Sequence, residues 1–239
     1  MDVVTDPGQR REELQANLDA VRHRIDGAAR AAGRDPADVA IVVVTKFFPA
    51  SDVRHLAELG ITDVGENRHQ EAQAKAAECA DLGLRWHFIG GLQSNKAAAV
   101  ASYADVVESV DRVKLVPGLQ RGADAAGHRL DVLLQVSLDP PGADHRSGAD
   151  PDRLPELAEA VAHAPALDLR GLMAVAPLGE EPARAFERLA GIHHELLRTH
   201  AGATVLSAGM SGDLEQAIAH GATHVRVGSA VLGPRPSVQ

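Results

Sequence analysis

The chain has 239 residues, with 24 Lys+Arg against 33 Asp+Glu and a formal net charge of −9. That balance excludes a broad surface for nucleic-acid phosphates, though not one local basic pocket for a small anion. Its single cysteine, Cys79, rules out an intrachain disulfide and fits a reducing, cytoplasmic compartment.

Residues 1–7 lack a basic region followed by an apolar one, so no signal peptide is expected. The longest apolar run, residues 39–44, is far too short to span a bilayer. Neither a membrane nor a nucleic acid is expected as a partner. Aromatic residues make up only 3%. The core must therefore use small and β-branched side chains, which suits parallel strands covered by alanine-rich helices.

The first element expected is a helix over residues 9–32. Leu14, Leu18, Val21, Ile25, Ala28 and Ala32 recur there at alternating steps of four and three, making one apolar stripe. Gly33 and Pro36 end it. Eight short runs rich in valine, isoleucine and leucine follow, at residues 40–46, 63–67, 86–90, 106–111, 132–138, 169–175, 205–210 and 225–230. They alternate with helical stretches at 50–59, 69–80, 95–103, 112–126, 151–163, 181–199 and 213–220. Such alternation implies right-handed crossovers and a parallel sheet. The α/β class follows, and eight units predict one closed (β/α)8 barrel over residues 40–233, with the first helix as an addition. A doubly wound open sheet is the alternative, weakened by the lack of a G-x-G-x-x-G turn after the first run. No linker divides the chain, so residues 1–239 read as one domain. Residues 139–151 read as a barrel loop, and the tail after Gly233 as frayed.

In such a barrel the chemistry gathers where the strands end. Lys46 directly follows the first apolar run. It is either a snorkelling lysine or a partly desolvated amine, with the lowered pKa that a nucleophile toward an aldehyde needs. Gly65-Glu66-Asn67 ends the second run and suits a pocket or an ordinary turn. The third run holds the only tryptophan, in Trp86-His87-Phe88-Ile89-Gly90. His87 there is a site residue or a hydrogen-bonded core histidine, and Ser94 or Asn95 can cap the next helix. The last two runs lead into Ser207-Ala208-Gly209-Met210-Ser211-Gly212-Asp213 and Arg226-Val227-Gly228-Ser229. Small residues with free N–H groups at these two ends make a phosphate cradle. Asp213 is compatible with it if it caps the next helix and points away. No zincin helix or nucleophile elbow is present, and His193 and His194 read as helix-surface residues.

An amine at the first strand and a phosphate cradle at the last two form a recognisable pair. The stretches VVVTKFFP (42–49), VGENRHQEA (64–72), WHFIGGLQSNK (86–96), Arg146-Ser147-Gly148, Arg170-Gly171-Leu172-Met173, LSAGMSGDLEQAI (206–218) and RVGSAVLG (226–233) resemble the pyridoxal phosphate homeostasis protein family. Its members are single-domain relatives of the N-terminal barrel of alanine racemase. The resemblance implies pyridoxal 5′-phosphate (PLP) as cofactor, held as a Schiff base on Lys46. Its phosphate would lie on Ser207, Gly209, Met210, Ser211, Gly228 and Ser229, with Arg226 facing the pyridine nitrogen. Asn67, His87 and Met173 would line the ring pocket. Phe47-Phe48, Arg68 and Ser229 depart from the family's usual residues, the first three at the pocket rim.

The family role is that of a PLP carrier or regulator in vitamin B6 and amino-acid homeostasis. PLP-dependent apo-enzymes are the implied partners, and a monomer without robust catalysis is expected. A racemase needs two bases on opposite faces of the cofactor. The second comes from a further domain that this chain is not expected to have, and Tyr103 is its only tyrosine. A weak amino-acid racemase, using His87 as the second base, is the alternative.

Overall fold

The computed structural model describes residues 7–140 and 148–235. Eight parallel strands close into a barrel in chain order. They are β1 (Ala40–Val44), β2 (Asp63–Glu66), β3 (Arg85–Phe88), β4 (Val106–Val110), β5 (Leu130–Gln135), β6 (Leu167–Met173), β7 (Val205–Ser207) and β8 (His224–Val227). All eight expected runs contribute a strand. Lys46, Asn67 and Met210 fall past the carboxyl ends of β1, β2 and β7, where the backbone leaves the sheet.

Around the barrel lie α1 (Pro7–Ala31), α2 (Ala50–Glu58), α3 (His69–Glu78), α4 (Ala97–Ala101), α5 (Val116–Ala126), α6 (Leu154–Ala162), α7 (Pro182–Thr199), α8 (Leu214–Ala219) and α9 (Ser229–Leu232). The fourth helix is shorter than expected. Residues Ser94–Lys96 form a 3-10 turn entered from Gln93, with no side-chain cap from Ser94 or Asn95.

Helix α1 buries Leu14, Leu18, Val21, Ile25 and Ala29 against Leu214, Ile218, Val231 and Leu232. The last step of the stripe is four residues, so Ala29 is buried while Ala28 is half-buried and Ala32 exposed. Polar groups fasten the same helix. Arg10 reaches Asp52 of α2 at 2.7 Å and donates to Leu232 O at 3.0 Å. Asn17 donates to Val231 O at 3.0 Å. Thus α1 straps the first strand-helix unit to the last.

His193 is not on a helix surface. It is buried, and its Nε2 lies 2.8 Å from Ala203 O. The reason is spacing: Phe186, Leu189, His193 and Leu196 recur at three, four and three residues, so His193 belongs to the inward stripe. Among the described residues no helix is long and apolar enough to cross a membrane.

Gly171 explains part of the Arg-Gly-Leu-Met motif. Its φ is +152°, and a Cβ placed there would meet Val205 O at 1.8 Å. The strand pair β6–β7 can approach only without a side chain at this point. Gly171→Ala should therefore lower the unfolding free energy by about 2–4 kcal/mol, measured by urea denaturation. A loss under half a kilocalorie would show that β7 moves aside freely.

Candidate functional site

At the carboxyl ends of the strands, a cavity of about 290 Å³ opens between the first and last units. Val44, Lys46, Phe47 and Phe48 line it after β1, Ile89 after β3, and Met210, Ser211 and Gly212 after β7. Arg226, Gly228, Ser229, Gly233 and Arg235 complete it. A larger groove of about 430 Å³ lies outside the barrel around Gln73, Trp86 and Tyr103, but no charged side chain lines it. Chemistry, not size, singles out the first.

Lys46 sits in a turn closed by Phe48 N–H on Thr45 O at 3.1 Å. Phe47, the turn's third residue, has φ +72° and is the one non-glycine residue with positive φ among those described. A bulky side chain there is strained by about 1–3 kcal/mol. Buried polar contacts hold the turn in place. Phe47 N–H donates to Glu71 Oε1 at 2.6 Å, and Thr45 Oγ1 donates to Glu66 Oε1 at 2.7 Å. Lys75 Nζ donates to Thr45 O at 2.9 Å and pairs with both Glu66 and Glu71. Glu66 is thus a buried ion-pair partner, not a pocket wall. Lys46 itself has no ion pair among the described residues. Burial holds its pKa below the ordinary lysine value, and the positive charges of Arg235 and Arg68 add to this against the opposing Glu66 and Glu71. A larger neutral fraction makes its amine a better nucleophile.

Opposite Lys46, the N–H groups of Ser211, Gly212, Gly228 and Ser229 have no protein acceptor among the described residues. The two loops are tied together, since Ala230 N–H donates to Ser211 Oγ at 3.4 Å. From behind, Arg24 donates to Ser211 O at 3.0 Å and pairs with Glu215. Asp213 does not cap α8; its Oδ1 accepts Met210 N–H at 2.6 Å. Met210 therefore lends the cavity its side chain but not its amide.

Arg226 forms one wall and is held from inside the barrel. It donates to Ser207 Oγ at 2.7 Å and to Ala174 O at 2.8 Å. Ser207 Oγ in turn donates to Glu108 Oε2 at 2.6 Å. Glu108 Oε1 lies 2.7 Å from His87 Nδ1, and His87 Nε2 lies 2.9 Å from Asp63 Oδ1. The chain Arg226–Ser207–Glu108–His87–Asp63 runs through the barrel interior to its opposite mouth. There His87 lines a small cavity of about 160 Å³ with Arg85, Asp131, Arg170 and His224.

Burial alone would lower the His87 pKa, but hydrogen bonds and charges from Asp63 and Glu108 hold it at about 9. His87 is therefore an imidazolium at neutral pH that donates from both nitrogens. Burial would likewise raise Glu108, yet His87 and then Arg226 and Ser207 bring it to about 2. Burial pushes Arg226 down against the pull of Glu108.

Of the eleven residues expected at the site, Lys46, Met210, Ser211, Arg226, Gly228 and Ser229 line the cavity. The other five do not. His87 points into the barrel below it. Met173 packs with Val106 and Leu133 in the interior. Asn67 is exposed. The Ser207 hydroxyl is committed to Glu108 and Arg226. Gly209, with φ +89°, packs so closely on α8 that a Cβ would lie 2.6 Å from Ala217 Cβ. Arg146 and Ser147 lie outside the described residues. Ile89 and Arg235 were not anticipated. Ile89 directly follows Phe88 and lay within an expected run, whereas Arg235 stands in a tail with no periodic signal. Glu108 did leave one: a carboxylate inside the run Val106-Val107-Glu108-Ser109-Val110 must find partners in the core.

A family model described as the alanine racemase N-terminal domain matches residues 16–236. The chain is 47% identical over 222 residues to the pyridoxal phosphate homeostasis protein of Pseudomonas aeruginosa, covering 93% of this chain and 96% of that one. The solved structure of PipY from Synechococcus elongatus, with PLP bound, matches at a TM-score of 0.80 and 35% identity over 92% of this chain and 100% of that one. Alanine racemase from Corynebacterium glutamicum shares the fold, at a TM-score of 0.63 and 19% identity over 92% of this chain and 62% of that one.

The buried chain makes stability depend on pH. The folded value of His87, about 9, exceeds its ordinary 6.5. Its contribution is complete below 6.5 and is lost as pH rises through about 9. Glu108 lies at about 2 against an ordinary 4.5, so its share persists above 4.5 and disappears only as pH falls through about 2. The thermal midpoint should fall between pH 6.5 and 9. Glu108→Gln should cost about 3–5 kcal/mol at neutral pH and shrink that fall. A native midpoint flat across this window would contradict an imidazolium at His87.

Proposed function

We propose that this chain, which belongs to the family of pyridoxal phosphate homeostasis proteins, binds PLP in the cavity between β1 and β8 as a Schiff base on Lys46. It acts as a PLP carrier or regulator in vitamin B6 and amino-acid homeostasis. The observation that carries this reading is one juxtaposition. A half-buried amine without an ion pair faces four N–H groups without acceptors across a single cavity. When bound, PLP supplies an aldehyde that reacts with amines and a ring that withdraws electrons.

Each side of the cavity then has a task. Lys46, as a neutral amine, would hold the cofactor at its aldehyde carbon. Ser211, Gly212, Gly228 and Ser229 donate N–H groups to the phosphate, and the side chains of Ser211 and Ser229 add hydroxyls. Arg226, pinned by Ser207 and Ala174 O, presents a guanidinium that cannot accept a proton. By its resemblance to the racemase arginine it would face the pyridine nitrogen, and a donor-only group there would keep that nitrogen unprotonated and weaken the electron sink.

The lining favours a carrier over a racemase. It contains no His, Tyr, Asp, Glu or Cys among the described residues. His87 is locked between two carboxylates below the cavity. Tyr103 stacks on His69 outside the barrel, with ring centroids 5.8 Å apart. Among the described residues, the lining offers no second base for proton transfer at an α-carbon. PLP-dependent apo-enzymes are the recipients in this reading, in the cytoplasm. A monomer is favoured, since the exposed large apolar side chains of the described residues are only Val113, Val175, Leu178 and Met210.

Adding PLP to the purified protein should produce a visible absorption band that saturates at one equivalent. Lys46→Ala should abolish it. A colourless protein that ignores PLP would overturn the cofactor assignment. Alanine in D2O separates carrier from enzyme: α-deuteration by the loaded protein should not exceed that by free PLP. Exchange that depends on Lys46 would establish the racemase reading instead.

A further inference from the structure

Two arginines meet on one ring at the mouth of the cavity. The guanidinium carbons of Arg68 and Arg235 each lie 5.1 Å from the centroid of Phe47. The two carbons are therefore no further apart than twice that distance. Both residues are exposed, and neither has an ion pair or a side-chain hydrogen bond among the described residues. The chain carries 33 acidic residues to 24 basic ones, and most of its arginines are paired. Arg10, Arg24, Arg54, Arg129 and Arg188 all hold carboxylates.

The ring contacts fix where these charges sit without neutralising them. Each guanidinium is within the range of a cation–π attraction. The platform is anchored: Phe47 has φ +72°, and its N–H donates to Glu71. Glu71, three residues after Arg68, is occupied by Phe47 N–H and Lys75. Glu66 is buried and likewise held by Lys75. Two like charges on one ring, beside a third basic group, repel one another unless an anion joins them. Their fields reach the reacting amine, since both arginines depress the pKa of Lys46.

We infer that Arg68 and Arg235 form a carboxylate site at the mouth, and that its ligand is a free α-amino acid whose amino group faces the cavity. Guanidinium groups bind carboxylates by charge-assisted, often bidentate hydrogen bonds. A small acid held there would place its α-substituent next to the position of Lys46. The cofactor's phosphate has its own donors across the cavity, so it does not compete for this pair. The inference rests on the PLP reading, and it makes the protein a sensor of amino acids as well as a holder of cofactor.

The test uses the PLP-loaded full chain at fixed pH and salt, titrated with alanine, alaninamide and pyruvate. Binding is read by calorimetry and by the fluorescence of the bound cofactor. Alanine should bind at least about tenfold more tightly than alaninamide, which has the amine but no carboxylate. Arg68→Gln and Arg235→Gln should each reduce that preference, and together they should abolish it. Arg68→Gln, at a residue outside the cavity lining, should keep PLP and the native thermal midpoint. Equal binding of alanine and alaninamide, or a preference that survives in the double variant, would overturn the inference. Pyruvate binding more tightly than alanine would overturn the amino-acid assignment. Loss of PLP from the double variant would place both arginines in the cofactor's own site, ending the inference while the PLP reading stands. A native protein that retains no PLP would remove both.

Discussion

The pairing of β1 with β8 is the constraint on which the site depends. Val42 lies beside Arg226 and Val43 beside Val227. That register carries Lys46, just past the end of β1, to the same mouth as Gly228 and Ser229 after β8. Neither half of the site exists without the seam. The N-terminal helix guards it from outside: Arg10 joins Asp52 of α2 to Leu232 O of α9, and Arg24 supports the loop at Ser211. The helix that precedes the barrel thus holds its last unit against its first.

The interior of this barrel is ionic where many are filled by branched apolar layers. Asp63, His87, Glu108 and Arg226 are buried together with Ser207. Two carboxylates face an imidazolium and a guanidinium, so the charges balance. Such groups cost desolvation, and an apolar filling of equal shape can be as stable. What the ionic filling supplies is a fixed guanidinium at the cavity wall. Strain is stored at the same end, in the positive φ of Phe47 that turns the chain at Lys46. Glu66, Glu71 and Lys75 offset it from beneath. The cavity lining is thus tied down on both sides, by the ionic chain behind Arg226 and by the Glu66, Glu71 and Lys75 contacts beneath Lys46.

Most of the fold was legible in the sequence because strand-helix alternation and helical stripes are local patterns. The eight runs, the stripe of α1 and the glycine-rich ends of the last two strands needed no tertiary information. Lys46, Ser211, Gly228 and Ser229 followed from their places at strand ends, while Arg226, inside β8, came only with the family resemblance. What could not be read depended on register across the barrel. Ser207 and Glu108 are 99 positions apart, and only closure shows that the serine hydroxyl points to the carboxylate and not to the cavity. His87 faces inward by strand alternation, but its depth below the mouth follows from where β3 ends. Asp213 turned back to Met210, a choice between two local partners that spacing does not decide. Arg235 enters through a tail with no pattern at all. His193 was different: its place on the α7 stripe was visible in the spacing of Phe186, Leu189 and Leu196.

Covalent trapping tests the central claim, that the amine at the β1–β8 seam is the one that takes the cofactor. The protein is incubated with PLP, reduced with borohydride, digested and analysed by mass spectrometry. One pyridoxyl group per chain on Lys46 is the predicted result. Labels scattered over surface lysines such as Lys96 and Lys114, with Lys46 unmodified, would contradict it and leave the barrel to some other phosphorylated ligand.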